Sequence, residues 1–134
     1  MRQARGRVGS SRLRALAATL LFALLAPAAL AQAPAEIETT LKKMLSAVQT
    51  GSLADFVAAG DPGFRAGMTK PMLDGVSRQL APRLRQGYTA TFLGKLNQQA
   101  FTVYLWKLEF KDGKDDVLVT LAAKGGQVGG FWLR

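Results

Sequence analysis

The chain predicts an α+β domain in which three N-terminal helices pack on a curved four-stranded antiparallel meander. Two observations predict it. Apolar residues recur at helical spacing as far as Leu84, and from Tyr88 onward the texture changes to aromatic and β-branched runs split by turn dipeptides. Elements segregated in this way stack as helices on one face of a sheet.

Residues 1–31 read as an export signal. Arg2, Arg5, Arg7, Arg12 and Arg14 come with no acid, and Ala15 to Ala26 is apolar but for Thr19. Ala29-Leu30-Ala31 then offers the small residues that a signal peptidase accepts. A membrane anchor needs about 20 apolar residues, so this run is short for one. Cleavage is expected after Ala31, with Ala33 as the neighbouring alternative. The protein is expected to be exported, periplasmic or secreted, with no stable membrane span once the signal is gone. Residues 32–35 would form a tether and residues 36–134 the folded domain.

Each element has its own signal. Ile37, Leu41, Met44, Leu45 and Val48 lie on one face of a first helix, with Glu36 and Glu38 at its positive end. Gly51 stops it. Ser52 caps a short second helix from Leu53 to Ala59, and Asp61-Pro62-Gly63 is a turn. Phe64 to Met68 crosses to Thr69, the cap of a third helix carrying Met72, Val76, Leu80 and Leu84. Pro82 should kink or end that helix, and Gly87 closes it. Strands follow at Tyr88–Leu96, Phe101–Phe110, Val117–Ala123 and Val128–Arg134. Asp112-Gly113 and Gly125-Gly126 supply hairpin turns.

The turns set a register. With Asp112-Gly113 central, Tyr104 faces Leu121, Trp106 faces Val119, and Leu108 faces Val117. With Gly125-Gly126 central, Trp132 faces Val119 and Gly130 faces Leu121. Side chains alternate with period two. The core face would therefore carry Tyr104, Trp106, Leu108, Phe110, Val117, Val119, Leu121, Val128 and Trp132. A three-residue turn at Asn97–Gln99 would add Tyr88, Ala90 and Phe92. The outer face would carry Leu105, Leu118, Phe131 and Leu133, rimmed by Lys107 and Glu109. That is too apolar a set for open water, and pairing of two copies would cover it.

Composition excludes several chemistries. Five of the 18 basic residues and none of the nine acids lie in the first 31 positions, so the remaining 103 residues carry a net charge of +4. That mild excess does not call for nucleic acid. There is no cysteine, hence no disulfide, acyl anchor or thiol chemistry, and no histidine, hence no Ser-His-Asp triad. Neither metal nor cofactor is expected. Asp112, Asp115 and Asp116 could catch calcium, but they lack the spacing of a calcium loop and read as a solvated hairpin tip. Arg78, Arg83 and Arg85 read as a solvated helix face rather than an anion site.

In its opening helix IETTLKKMLSAV, the segment GSLADFVAAGDPGF, the helix after Thr69 and the closing meander with its G-G-F-W-L ending, the chain resembles the nuclear transport factor 2-like superfamily. Those proteins share a cystatin-like α+β cone, and many are exported bacterial proteins of unknown role. The resemblance spans Glu36 to Arg134. It implies a pocket inside the cone and frequent pairing of copies. The family's enzymes place an acid and a polar donor in the cone; here the central sheet positions are aromatic or aliphatic. The expectation is an exported, non-catalytic binding or assembly module, a homodimer with a small apolar pocket and a small apolar ligand. The alternative is a small lyase or isomerase of the ketosteroid-isomerase type, with Asp55, Asp61 or Asp74 as a helix-side base. Candidate pocket or core residues are Tyr88, Phe92, Tyr104, Trp106 and Trp132, of which Tyr104, Trp106 and Trp132 could stack a flat ligand. Asp61 and Arg65 are candidates for a polar mouth. Leu105, Leu118, Phe131 and Leu133 are candidates for the dimer face.

Overall fold

A computed structural model describes residues 32–134; the expected signal lies outside the described residues. Among the described residues four helices precede four strands: α1 (Ala35–Thr50), α2 (Leu53–Phe56), α3 (Pro62–Gly67), α4 (Lys70–Gln86), β1 (Tyr88–Gln98), β2 (Phe101–Phe110), β3 (Val117–Lys124) and β4 (Gln127–Leu133). The strands form one antiparallel sheet in the order β1-β2-β3-β4. This is the expected α+β arrangement, helices first and meander after.

The helix ends obey local chemistry. The Ser52 hydroxyl accepts from the Asp55 N–H at 3.3 Å, and the Thr69 hydroxyl from the Met72 N–H at 3.4 Å. The segment expected to cross from Phe64 to Met68 closes into α3 instead. Asp61 caps it, its Oδ1 accepting from the Phe64 N–H at 2.7 Å, and Pro62 occupies the first turn. The second helix is shorter than expected, breaking into turns after Phe56.

Helix α1 buries Ile37, Leu41, Met44, Leu45, Ala47 and Val48, the face its periodicity marks out. It packs chiefly on α4, where the Ser77 hydroxyl donates to the Val48 carbonyl. The buried stripe of α4 is Leu73, Leu80, Ala81 and Leu84, while Met72 is 53% exposed. Leu80, Leu84 and the half-buried Val76 keep the expected row, and Leu73 takes the place expected of Met72. Pro82 lies in α4, exposed, and the helix runs through it to Gln86. Ala33, expected in the tether, is buried against the core.

Strands β2 and β3 pair in the expected register, Tyr104 with Leu121, Trp106 with Val119 and Leu108 with Val117. The ladder stops at that last pair, so residues 111–116 form a wider loop than a two-residue turn. Arg83 of α4 holds this loop. Its Nε donates to Asp112 Oδ2 at 2.6 Å, its Nη2 to the Asp115 carbonyl at 2.6 Å, and its guanidinium lies 3.9 Å from the Phe110 ring centre. The expected solvated tip and free arginine are therefore one structural contact.

That contact sets a pH dependence. The hydrogen bond from Arg83, and after it the Lys114 backbone N–H, hold the Asp112 carboxyl below its ordinary range. A carboxyl depressed in the folded state adds stability that is complete above its unfolded value, about 4, and is lost as pH falls through the lower folded value. Asp112→Asn should melt below wild type at neutral pH and converge with it under acid conditions. Thermal melts across pH check this; curves that stay parallel into acid would contradict it.

Two departures from regular pairing decide which residues face the helices. In β1 the register shifts between Phe92 and Gly94. The β1–β2 turn has two central residues, Gln99 and Ala100, rather than three, yet Tyr88, Ala90 and Phe92 still align with Phe110, Leu108 and Trp106 on the core face, because the bulge restores the parity that the shorter turn removes. In β4 the register shifts at Gly129. Ala123 faces Val128, but Ala122 faces Gly130, Leu121 faces Phe131 and Val119 faces Leu133. One extra residue sends every later side chain to the opposite face from the one expected. Phe131 and Leu133 therefore pack against the core, and Trp132 lies outside, 47% exposed.

Candidate functional site

The core itself is a continuous apolar cluster. Trp106, Leu108, Val119, Leu121 and Val48 are fully enclosed, and among the described residues no polar or charged residue is buried. Trp106 sits in an aromatic group, 5.5 Å from the Phe92 ring centre and 6.1 Å from that of Tyr104. Its indole N–H donates to Glu38 Oε1 at 3.0 Å, across 68 positions of sequence. A tryptophan can be buried when its N–H finds a partner, and this one finds it at the edge of the helix layer.

Glu38 also lines a recess. A groove of about 650 Å³ runs between α1 and β1, lined by Leu41, Leu45, Tyr88, Ala90 and Phe92, with Gln32, Glu38, Lys42 and Thr91 also on its walls. Ligand pockets span about 300–1,000 Å³. The groove exists because the helices do not cover the core-side face of β1. Ala90 points to that side and is exposed, while Tyr88 and Phe92 are half-buried. Burial raises the Tyr88 phenol above its ordinary value.

Glu38, a charge at the positive end of α1 by its place in the sequence, also lines the groove. The signal was available: Glu38, Leu41, Lys42 and Leu45 fall at helical spacing on one face. The helix-side aspartates lie elsewhere. Asp55 is exposed, Asp61 caps α3, and Asp74 pairs with Lys70 in the open. Asp61 and Arg65 do not pair with each other in a mouth. Arg65 donates to the Gly60 and Ala58 carbonyls at 3.0 and 2.8 Å. Gly60 forms a parallel bridge to Val128, so Arg65 secures the chain where it meets β4.

A second recess, about 720 Å³, opens on the outer sheet face, lined among others by Gln98, Phe101, Thr120, Trp132 and Arg134. Of the four residues expected on that face, Leu105 and Leu118 are there, half-buried and 36% exposed, while Phe131 meets Phe56 edge-on at 5.5 Å on the core side and Leu133 packs beside it. Lys107 and Glu109 pair with each other at 2.9 Å within the chain. Tyr104 and Trp106 are core residues, so of the three aromatics that could stack a flat ligand only Trp132 is open to one.

Element order, topology and recesses together define an α+β domain with a helix layer on one face of an antiparallel meander and a ligand-sized recess on each side of the sheet. No protein-family model matches the sequence, and no curated protein matches it. Among solved structures it is similar to an uncharacterized cystatin-fold protein from Novosphingobium aromaticivorans, with 14% identity and a TM-score of 0.37, over 76% of this chain and 99% of the other. No described helix is long and apolar enough to cross a membrane.

Proposed function

We propose that this is an exported, non-catalytic binding module that takes a small apolar ligand in the groove between α1 and β1. The observation that carries the reading is the uncovered half of the core face on β1. Leucine, phenylalanine and tyrosine side chains line a recess of ligand size that the chain leaves unfilled. Covering the half-buried Tyr88 and Phe92 and the exposed Ala90 with a ligand releases water from apolar surface, over a floor that the buried Leu41 and Leu45 already close. Lys42 and Glu38 on its walls orient a polar end.

The acids support binding over catalysis. A general base must reach its substrate and have a pKa tuned by its surroundings. Asp55, Asp61 and Asp74 stand outside the groove, and Glu38 already accepts the indole N–H. Anilinonaphthalene sulfonate, an apolar dye with one anionic group, tests the site by fluorescence. The expected result is saturable binding that Ala90→Trp weakens by about tenfold or more, because the new indole fills the groove from an exposed position. Melting should stay unchanged, and Trp132→Ala should leave the dye signal intact. Equal dye binding by Ala90→Trp would sink the proposal.

A further inference from the structure

We propose that the outer recess is a second, separate ligand site, and that it takes a saccharide, neutral or carrying a single carboxylate. The first observation is the setting of Trp132. Trp132 stands 47% exposed on the outer face. It is folded back along its own strand over Gly130. A Cβ at that glycine would lie 2.1 Å from Trp132 Cη2 and 2.6 Å from Cζ3, so only glycine allows this ring position. Phe101 reaches across from β2 to lie over Gly129, where a Cβ would lie 2.3 Å from its Cε1. The Gly129-Gly130 pair thus forms a backbone shelf on which two aromatic rings are laid. Val103 and Ala122, outer-face residues 6% exposed, complete the lining.

The polar groups around those rings choose the ligand. Gln98 and Gln99 are exposed and Thr120 half-buried. Each amide both donates and accepts, and so does a hydroxyl, which is the pattern that neighbouring sugar hydroxyls require. A purely apolar ligand would strip water from these groups and return nothing. A phosphate would call for several cations, and Arg134 is the one charged residue on the described lining. A sugar ring instead lays its C–H face on an aromatic face, whose negative quadrupole attracts it, and turns its hydroxyls to the rim. A preset ring also reduces the ordering cost of binding.

The β1–β2 turn lies at the same place. Gln99 and Ala100 have φ of 50° and 68°, the left-handed values that both central positions of a two-residue hairpin turn adopt. The turn carries the Gln98 and Gln99 amides to the rim of the recess.

The test uses the two tryptophans, whose indole N–H signals are separate reporters in a nitrogen-15 NMR spectrum. The purified protein is titrated with triacetylchitotriose, cellotriose and trigalacturonic acid. At least one should shift the Trp132 indole and the Gln98 and Gln99 side-chain amides saturably, with Kd on the order of 1 mM or tighter, and leave Trp106 in place. Trp132→Ala should weaken binding by about tenfold or more without lowering the melting temperature. Gly130→Ala, which keeps the indole but displaces it, should weaken it too. Three silent titrations would overturn the proposal. So would shifts at Trp106 alone, or sedimentation showing a wild-type dimer that Trp132→Ala separates, since a second copy would then own this face. None of these outcomes bears on dye binding in the α1–β1 groove.

Discussion

Trp106→Ala is expected to cost roughly 3–5 kcal/mol, the range for emptying a large aromatic site in a core. Native domains hold about 5–15 kcal/mol in total, so the variant should be near unfolding or unfolded. The reasons are cumulative. Trp106 is fully enclosed, faces Val119 across the β2–β3 ladder, and contacts Phe92 and Tyr104. Its loss would leave a void that those rings cannot close without moving. It would also strip Glu38 of its indole partner, though Glu38 is half-exposed and water can replace that bond. Trp106→Phe, which retains most of the ring, should therefore lose much less. Chemical denaturation of the three proteins checks the order. An alanine variant melting within a few degrees of wild type would mean that the indole is not a packing element.

Phe131→Lys and Trp132→Lys should differ sharply, in the direction set by the bulge at Gly129. Phe131 is half-buried, edge-on to Phe56 and aligned with Leu121. A lysine there forfeits that packing and drives an ammonium toward an apolar layer, which should cost on the order of 2–3 kcal/mol. In a domain of this size that lowers the melting temperature by roughly 10–20 °C. Trp132 stands outside, and its lysine variant should melt within a few degrees of wild type. Had β4 kept the unbulged register, the two results would be exchanged. A stable Phe131→Lys beside a failing Trp132→Lys would refute the observed register of the last strand.

The contrast between those neighbours marks what sequence reasoning could reach. The core face of β2 and β3 was legible because Leu108 to Val117 brackets a turn and alternation does the rest. The faces of β4 were not, because Gly129-Gly130 reads equally well as two ordinary strand positions. In the fold Phe101 and Trp132 lie over those glycines, where a side chain would clash, and no local pattern records that contact. In β1 two misreadings cancelled: a shorter turn and an unforeseen bulge together return Tyr88, Ala90 and Phe92 to the expected side. Of the candidate groove, Tyr88, Ala90 and Phe92 were placed on the core face from sequence, whereas Glu38 was read only as a charge at the helix start. Nothing local says that the helices stop short of β1.

By itself the sequence determined the α+β order, the helix starts at Ser52 and Thr69, the buried stripe of α1 and the pairing of β2 with β3. Each of these is set by chemistry within a few residues, through caps, turns and periodicity. Only the tertiary structure decided which way Trp132 and Phe131 point, that Arg83 clasps the loop at Asp112, that Glu38 receives the Trp106 indole, and that a groove lies open along β1. Those outcomes depend on one-residue shifts in a ladder and on groups brought together from 29 and 68 positions apart. A pattern of period two or 3.6 carries no record of either, since a single inserted residue inverts a strand's faces while leaving its composition unchanged.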